Sequence, residues 1–106
     1  QRLVRQALVY MQQRSAESLT RREIASAVGI TEDYLTQCFQ QEIGISPTTW
    51  LQRYRIRQAQ TLLQQGELSV TEVALAVGFA DSTHFGRLFQ RETGVTPSAW
   101  RRGIRA

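Results

Sequence analysis

Thirteen of the 106 residues are basic, every one of them Arg, against nine acidic residues, a net charge of +4 and a pI near 10.2. A guanidinium offers its N–H donors in a rigid fork that suits phosphate and carboxylate recognition, not proton transfer. A basic balance of this kind favours an anionic partner. Other reactive groups are scarce. One Cys, Cys38, and one His, His84, exclude an internal disulfide framework and a zinc cage of Cys and His. No nucleophile stands with a base, and neither a metal cluster nor a phosphate loop appears. The sequence therefore predicts no enzyme, no metal and no cofactor.

The 42% of hydrophobic residues is enough for an ordinary globular core, as one small domain or as two small subdomains sharing a core. No apolar run approaches the roughly 20 residues of a membrane span. Arg2 and Arg5 interrupt the first apolar residues, unlike a signal peptide. The expectation is a soluble, cytoplasmic protein without a membrane partner. Beginning with Gln and not Met, it reads as a piece of something longer.

The elements that must position the Arg side chains declare themselves through a repetition. Residues 28–50 read VGITEDYLTQCFQQEIGISPTTW, and residues 77–100 read VGFADSTHFGRLFQRETGVTPSAW. At an offset of 49, Leu19, Ala25, Val28 and Gly29 meet Leu68, Ala74, Val77 and Gly78. At an offset of 50, Phe39, Gly44, Pro47 and Trp50 meet Phe89, Gly94, Pro97 and Trp100. The extra residue of the second copy must fall just after Gly78, in a turn.

Each copy opens on a capping box, Thr20 with Glu23 and Ser69 with Glu72, flanked by the staple pairs Leu19–Ile24 and Leu68–Val73. A short helix follows and stops at Gly29 or Gly78, where Gly can turn left-handed. Thr31 and Asp81 cap a second helix. Its apolar residues, Leu35, Cys38 and Phe39 or Phe85, Leu88 and Phe89, keep the i, i+3, i+4 spacing of one buried stripe. Gly44 and Gly94 end it. This is a helix-turn-helix pattern, written twice.

Two other helices complete the reading. Residues 3–11 gather Leu3, Val4, Ala7, Leu8 and Met11 on one face. Ser46 as cap and Pro47 at the first helical position open a long helix to about Gln65, with Trp50, Leu51, Tyr54, Leu62 and Leu63 as its apolar side. At ~1.5 Å per residue its ~19 residues span roughly 28 Å. Thr96, Pro97 and Trp100 start a matching but shorter helix. The expected fold is all-α, with about seven helices and no strand. Residues 1–46 form a first helix-turn-helix subdomain, 47–65 the joining helix and 66–106 the second subdomain.

The stretch VTEVALAVGFADSTHFGRLFQRETGVTPSAWR resembles the signature of the AraC/XylS family of bacterial transcription regulators. Ala74, Gly78, Phe79, Phe85, Arg87, Phe89, Gly94, Pro97 and Arg101 stand where that signature has them. Arg55, Ile56, Ala59, Leu62 and Leu63 are similar to the family's joining helix, and the likeness runs from about Gln1 to Arg102. The resemblance implies sequence-specific binding of double-stranded DNA, with two units in successive major grooves on one face of the duplex. The ~34 Å repeat of B-DNA is comparable to the span of the joining helix. Further partners implied are RNA polymerase and a sensing or dimerising domain in the full-length protein.

On that resemblance Asp33, Thr36 and Gln37 hold the base-contacting positions of the first unit. Gln37 can pair with adenine, and Thr36 can touch a thymine methyl. Glu32 and Asp33 depart from a basic reading helix, since carboxylates near phosphates weaken binding unless they meet a cytosine amino group or a nearby Arg. The second unit offers Ser82, Thr83 and Arg87 as base readers, with Gly86 short beside them. Arg87 can grip guanine O6 and N7 or clamp a phosphate, the alternative being a salt bridge to Glu92 or Asp81. Thr31, Gln40, His84, Arg91 and Arg102 are expected to meet phosphates. Arg53, Arg57 and Arg101 are further candidates for phosphate, with a solvated face as the other reading of the first two. Cys38, Trp50 and Trp100 read as core residues. A helical protein-interaction module would also suit the exposed Gln side chains, and salt dependence separates the two readings.

Overall fold

The chain was analysed as a computed structural model that describes residues 2–105. Its described residues form seven helices and no strand. They are α1 (Arg2–Gln13), α2 (Arg21–Ala27), α3 (Glu32–Glu42), α4 (Pro47–Gln65), α5 (Val70–Ala76), α6 (Ser82–Thr93) and α7 (Pro97–Arg101). Side chains set most of the starts. Thr20 Oγ1 accepts from the Glu23 N–H at 3.1 Å, and Glu23 Oε1 accepts from the Thr20 N–H at 3.1 Å. Ser69 and Glu72 repeat the exchange at 3.1 and 2.8 Å. Each box fills donors that the start of a helix leaves without partners. Thr31, Asp81 and Thr96 cap α3, α6 and α7 through the N–H groups of Tyr34, His84 and Ala99. Ser46 opens α4 by accepting from the Thr49 N–H.

The Ser69 N–H, and after it the Ser69 hydroxyl, favour the charged form of Glu72 and hold its pKa below the ordinary carboxylate value. A carboxylate depressed in this way adds stability above its unfolded pKa and loses that contribution as pH falls through the folded value. Loss of a Ser cap typically costs about 1 kcal/mol. Ser69→Ala is therefore expected to lower the melting midpoint near neutral pH and to shrink its fall on acidification. Thermal melts of both proteins between about pH 3 and pH 7 check this. An unchanged acid limb would show that the Ser69 N–H, which the substitution keeps, holds Glu72 without help from the hydroxyl.

Both short helices stop in the same way. The Gly29 and Ile30 N–H groups donate to Ser26 and Ala25 carbonyls, and those of Gly78 and Phe79 donate to Leu75 and Ala74. The two glycines take φ of +76° and +112°, left-handed values that other residues adopt at a cost. The second turn is one residue longer, and Ala80 lies in it.

Length alone allowed one shared core, but the buried side chains gather in two clusters with no residue in common. The chain divides accordingly. One unit comprises the residues up to Ser15 with Leu19–Gln52, and the other comprises Ala16–Ser18 with the chain from Arg53 onward. In the first, Val4, Ala7 and Met11 of α1 meet Ile24 and Ala25 of α2, Leu35, Cys38 and Phe39 of α3, and Leu51 of α4. In the second, Ile56, Ala59 and Leu63 of α4 meet Val73 and Ala74 of α5 and Phe85, Leu88 and Phe89 of α6. Phe79, Phe85, Phe89 and Trp100 follow one another with ring centroids 5.2, 5.6 and 5.9 Å apart.

The apolar side of α4 is broader than expected. Leu51 and Leu63 are buried, Trp50 and Leu62 are half-buried against the two clusters, Tyr54 is half-buried, and Ile56 and Ala59 are buried as well. A helix that serves two cores has no single stripe. Leu51 belongs to the first cluster, and Ile56, Ala59 and Leu63, at i, i+3 and i+7, form the stripe of the second.

Candidate nucleic-acid interface

Positions 31–40 and 81–90 carry the same sequence of buried, half-buried and exposed residues. The inward stripes anchor α3 and α6 alike, so their outward faces correspond residue for residue. Asp33, Tyr34, Gln37 and Gln40 are exposed on α3, and Thr83, His84, Arg87 and Gln90 are exposed on α6.

On α3, Asp33, Gln37 and Gln40 share a face through i, i+4 and i+7 spacing. Thr36 beside them is half-buried, and its hydroxyl donates to the Glu32 carbonyl at 3.1 Å. It keeps an acceptor and a methyl group for other contacts. Thr31 Oγ1 accepts from the Tyr34 N–H, which leaves its hydroxyl proton to donate. The two carboxylates that open α3 differ. Glu32 accepts from Arg21 Nε at 3.2 Å and lies 3.9 Å from Arg22 Nε. The Asp33 side chain has no partner among the described residues. No periodic signal marks the Arg21–Glu32 pair, because its members lie 11 residues apart across a turn.

On α6, Ser82 is half-buried in the first turn, and Asp81 Oδ1 accepts from the His84 N–H at 2.8 Å. The His84 ring meets Phe79 edge-on at 5.7 Å. Both acids that might have held Arg87 are engaged elsewhere. Asp81 is the helix cap, and Glu92 lies 2.9 Å from Arg53 Nε and 3.9 Å from Arg91 Nε. Arg87 is exposed and has no hydrogen bond or ion pair among the described residues. Arg91 and Arg102 are also exposed.

Other Arg residues serve the fold. Arg101 turns inward, its Nη2 donating to the Leu68 carbonyl and its Nε buried without a partner. Arg55 Nη2 donates to the Glu17 carbonyl at 2.7 Å, and its guanidinium lies 5.9 Å from the Phe79 ring centroid. Burial lowers its pKa, though an Arg so placed stays charged. Arg105 stacks 3.6 Å from the Trp100 ring centroid, covering one face of an indole whose Nε1 donates to the Gln60 carbonyl. Net charge thus overstates the cations that can meet an outside anion.

Gly86 is a gap in the α6 face. A Cβ there would meet nothing within 4 Å, so packing does not require glycine. Glycine inside a helix costs about 0.5–1 kcal/mol relative to alanine. Gly86→Ala is therefore expected to stabilise the chain by about that amount. Melting curves measure the effect, and an unchanged or lower midpoint would show that this turn of α6 needs glycine for another reason.

Among the described residues no group of three or more His, Cys, Asp or Glu could hold a metal ion, and no helix is long and apolar enough to cross a membrane.

Two units, each a short helix, a Gly turn and a longer helix with an exposed face, define a tandem helix-turn-helix domain. The helix-turn-helix domain family matches residues 24–103. The chain is 42% identical over 93 residues to the HTH-type transcriptional regulator YijO of Escherichia coli (strain K12), covering 88% of this chain and 33% of that protein. It is 46% identical over 72 residues to the HTH-type transcriptional activator RhaR of Cronobacter sakazakii, covering 68% and 25%. The C-terminal domain of AraT, a response regulator from Geobacillus stearothermophilus, matches at a TM-score of 0.93 and 32% identity, over 100% of this chain and 88% of that one. The DNA-binding domain of AdpA, solved in complex with a target DNA, matches at a TM-score of 0.89 and 26% identity, over 94% and 90%. This chain belongs to the AraC/XylS family of helix-turn-helix transcription regulators, whose domains of this kind bind DNA sequence-specifically. It spans a third or less of the length of these curated relatives, 33% of one and 25% of the other.

Proposed function

We propose that this chain is the DNA-reading part of a bacterial transcription regulator, with α3 and α6 taking successive major grooves of a promoter duplex. The observation that carries this is Arg87, an exposed guanidinium on the outward face of α6 whose possible acidic partners are both engaged elsewhere. Asp33, Thr36 and Gln37 read bases from α3, and Ser82, Thr83 and Arg87 read them from α6. Thr31, Gln40, His84, Arg91 and Arg102 meet the flanking phosphates. A major groove admits one helix, and the faces of α3 and α6 carry the polar groups that base edges pair with. The DNA complex of AdpA supports the reading. RNA polymerase is the partner through which binding alters transcription, and a sensing or dimerising domain sets when it does so. The setting is the bacterial cytoplasm.

Titration of a random-sequence duplex at several salt concentrations tests the reading. Log affinity should fall linearly with log salt, by about 0.9 for each phosphate contacted. Absence of binding at low salt overturns it.

A further inference from the structure

We propose that Glu32 limits the sequence-independent affinity of the first unit, withholding Arg21 and Arg22 from the phosphate backbone. The inference rests on the DNA-binding reading above. Glu32 is the first residue of α3, and one carboxylate meets both guanidinium groups that open α2, at 3.2 and 3.9 Å. α3 has no basic residue of its own and carries Glu32, Asp33 and Glu42. Arg21 and Arg22 are thus the cations that the helix-turn-helix motif could offer to a phosphate beside α3.

The repeat shows that the fold does not need this triad. Val70, Thr71 and Ser82 stand in the corresponding places of the second unit, which forms the same helices with the same capping box. Nor is the triad a strong strut. The side chains of Arg21, Arg22 and Glu32 are 47, 87 and 38% exposed, and ion pairs this open to water add little to stability. Their consequence falls on binding. Phosphate contacts supply sequence-independent affinity, whereas base contacts supply discrimination. An acid that occupies two cations at the mouth of a reading helix lowers the first and leaves the second. The first unit then holds every duplex less firmly, and its preference among sequences stays. In the second unit Glu92 lies 2.9 Å from Arg53 and 3.9 Å from Arg91, but Arg87 stays exposed and without an ion pair among the described residues.

The test compares the wild-type chain, Glu32→Gln, and the triple variant Arg21→Ala, Arg22→Ala, Glu32→Gln. Each is titrated with a random-sequence duplex and with a site selected by the wild type, over a range of salt. Gln keeps the size and acceptor of Glu and removes its charge, and melting curves confirm that the fold is retained. Glu32→Gln is expected to bind random duplex severalfold more tightly and to steepen its salt slope by about 0.9 to 1.8, one or two added phosphate contacts. The ratio of selected-site to random-site affinity should hold, because the added phosphate contacts serve both duplexes alike. In the triple variant the slope should return to the wild-type value. A wild-type slope in Glu32→Gln overturns the proposal. So does a gain that survives in the triple variant, since mere removal of a negative charge would then explain it. Failure of the wild-type chain to bind either duplex is a different result, because it removes the DNA-binding reading itself.

Discussion

Arg87→Ala is expected to bind a selected DNA site roughly 1–3 kcal/mol more weakly than the wild-type chain and to lose its preference at one base pair. The size follows from the geometry of the lost group. A guanidinium gives two parallel hydrogen bonds to guanine O6 and N7, and the other guanidinium of α6, Arg91, stands one turn further along the helix. Arg87 is exposed, and its two nearest acidic candidates cap the helix or pair with Arg53, so no internal salt bridge is broken by its removal. The folded state should therefore be unaffected, and the change should appear in binding alone. Asp33→Ala is the matching control on α3. It removes an exposed carboxylate without a partner among the described residues, so affinity should hold or rise while choice broadens at one position. Both variants are measured against every single substitution in the selected site. If Arg87→Ala weakens all sequences equally, Arg87 grips phosphate. If Asp33→Ala abolishes binding, the first unit depends on that acid.

Phe89→Ala should be the more damaging change to the fold. Phe89 is fully buried, between Phe85 at 5.6 Å and Trp100 at 5.9 Å. Truncation of a buried Phe costs roughly 3–5 kcal/mol through lost burial and the cavity left behind. That is a large share of the roughly 5–15 kcal/mol that holds a typical domain together. The damage should be uneven, since the first cluster contains none of the residues that Phe89 packs against. Amide hydrogen exchange is expected to quicken in α5 and α6 well before it does in α2 and α3. Equal quickening everywhere would show that the two cores unfold as one.

The helices were legible because their signals are local. Thr20 with Glu23, Ser69 with Glu72, Ser46 with Pro47, and the glycines at 29 and 78 all act within a few residues of themselves. The repetition added a second reading of each. The sequence is silent where a residue's partner lies far along the chain. Nothing near Arg101 indicates that it will reach the Leu68 carbonyl, 33 residues away. Arg55 meets Glu17 at a separation of 38, and Trp100 meets Gln60 at 40. The face of α4 was legible only in part for a related reason, because periodicity assumes one neighbour and α4 has two clusters to serve. The outward positions of α3 and α6 could be placed from the inward stripes. Which charges on them remain open to a ligand could not, since that depends on Arg21 reaching Glu32 and Arg53 reaching Glu92.

Because the two hydrophobic clusters have no residue in common, the two copies of the repeat can change separately. Leu35 and Phe85, Cys38 and Leu88, and Phe39 and Phe89 remain apolar under the same packing demand. Asp33 and Thr83, and Gln37 and Arg87, have no side-chain hydrogen bond or ion pair among the described residues and differ in charge as well as shape. Mutations far apart with no shared partners combine nearly additively. On the proposed DNA reading, one half of the target can therefore be rewritten while the other half keeps its hold, without passage through an unfolded ancestor.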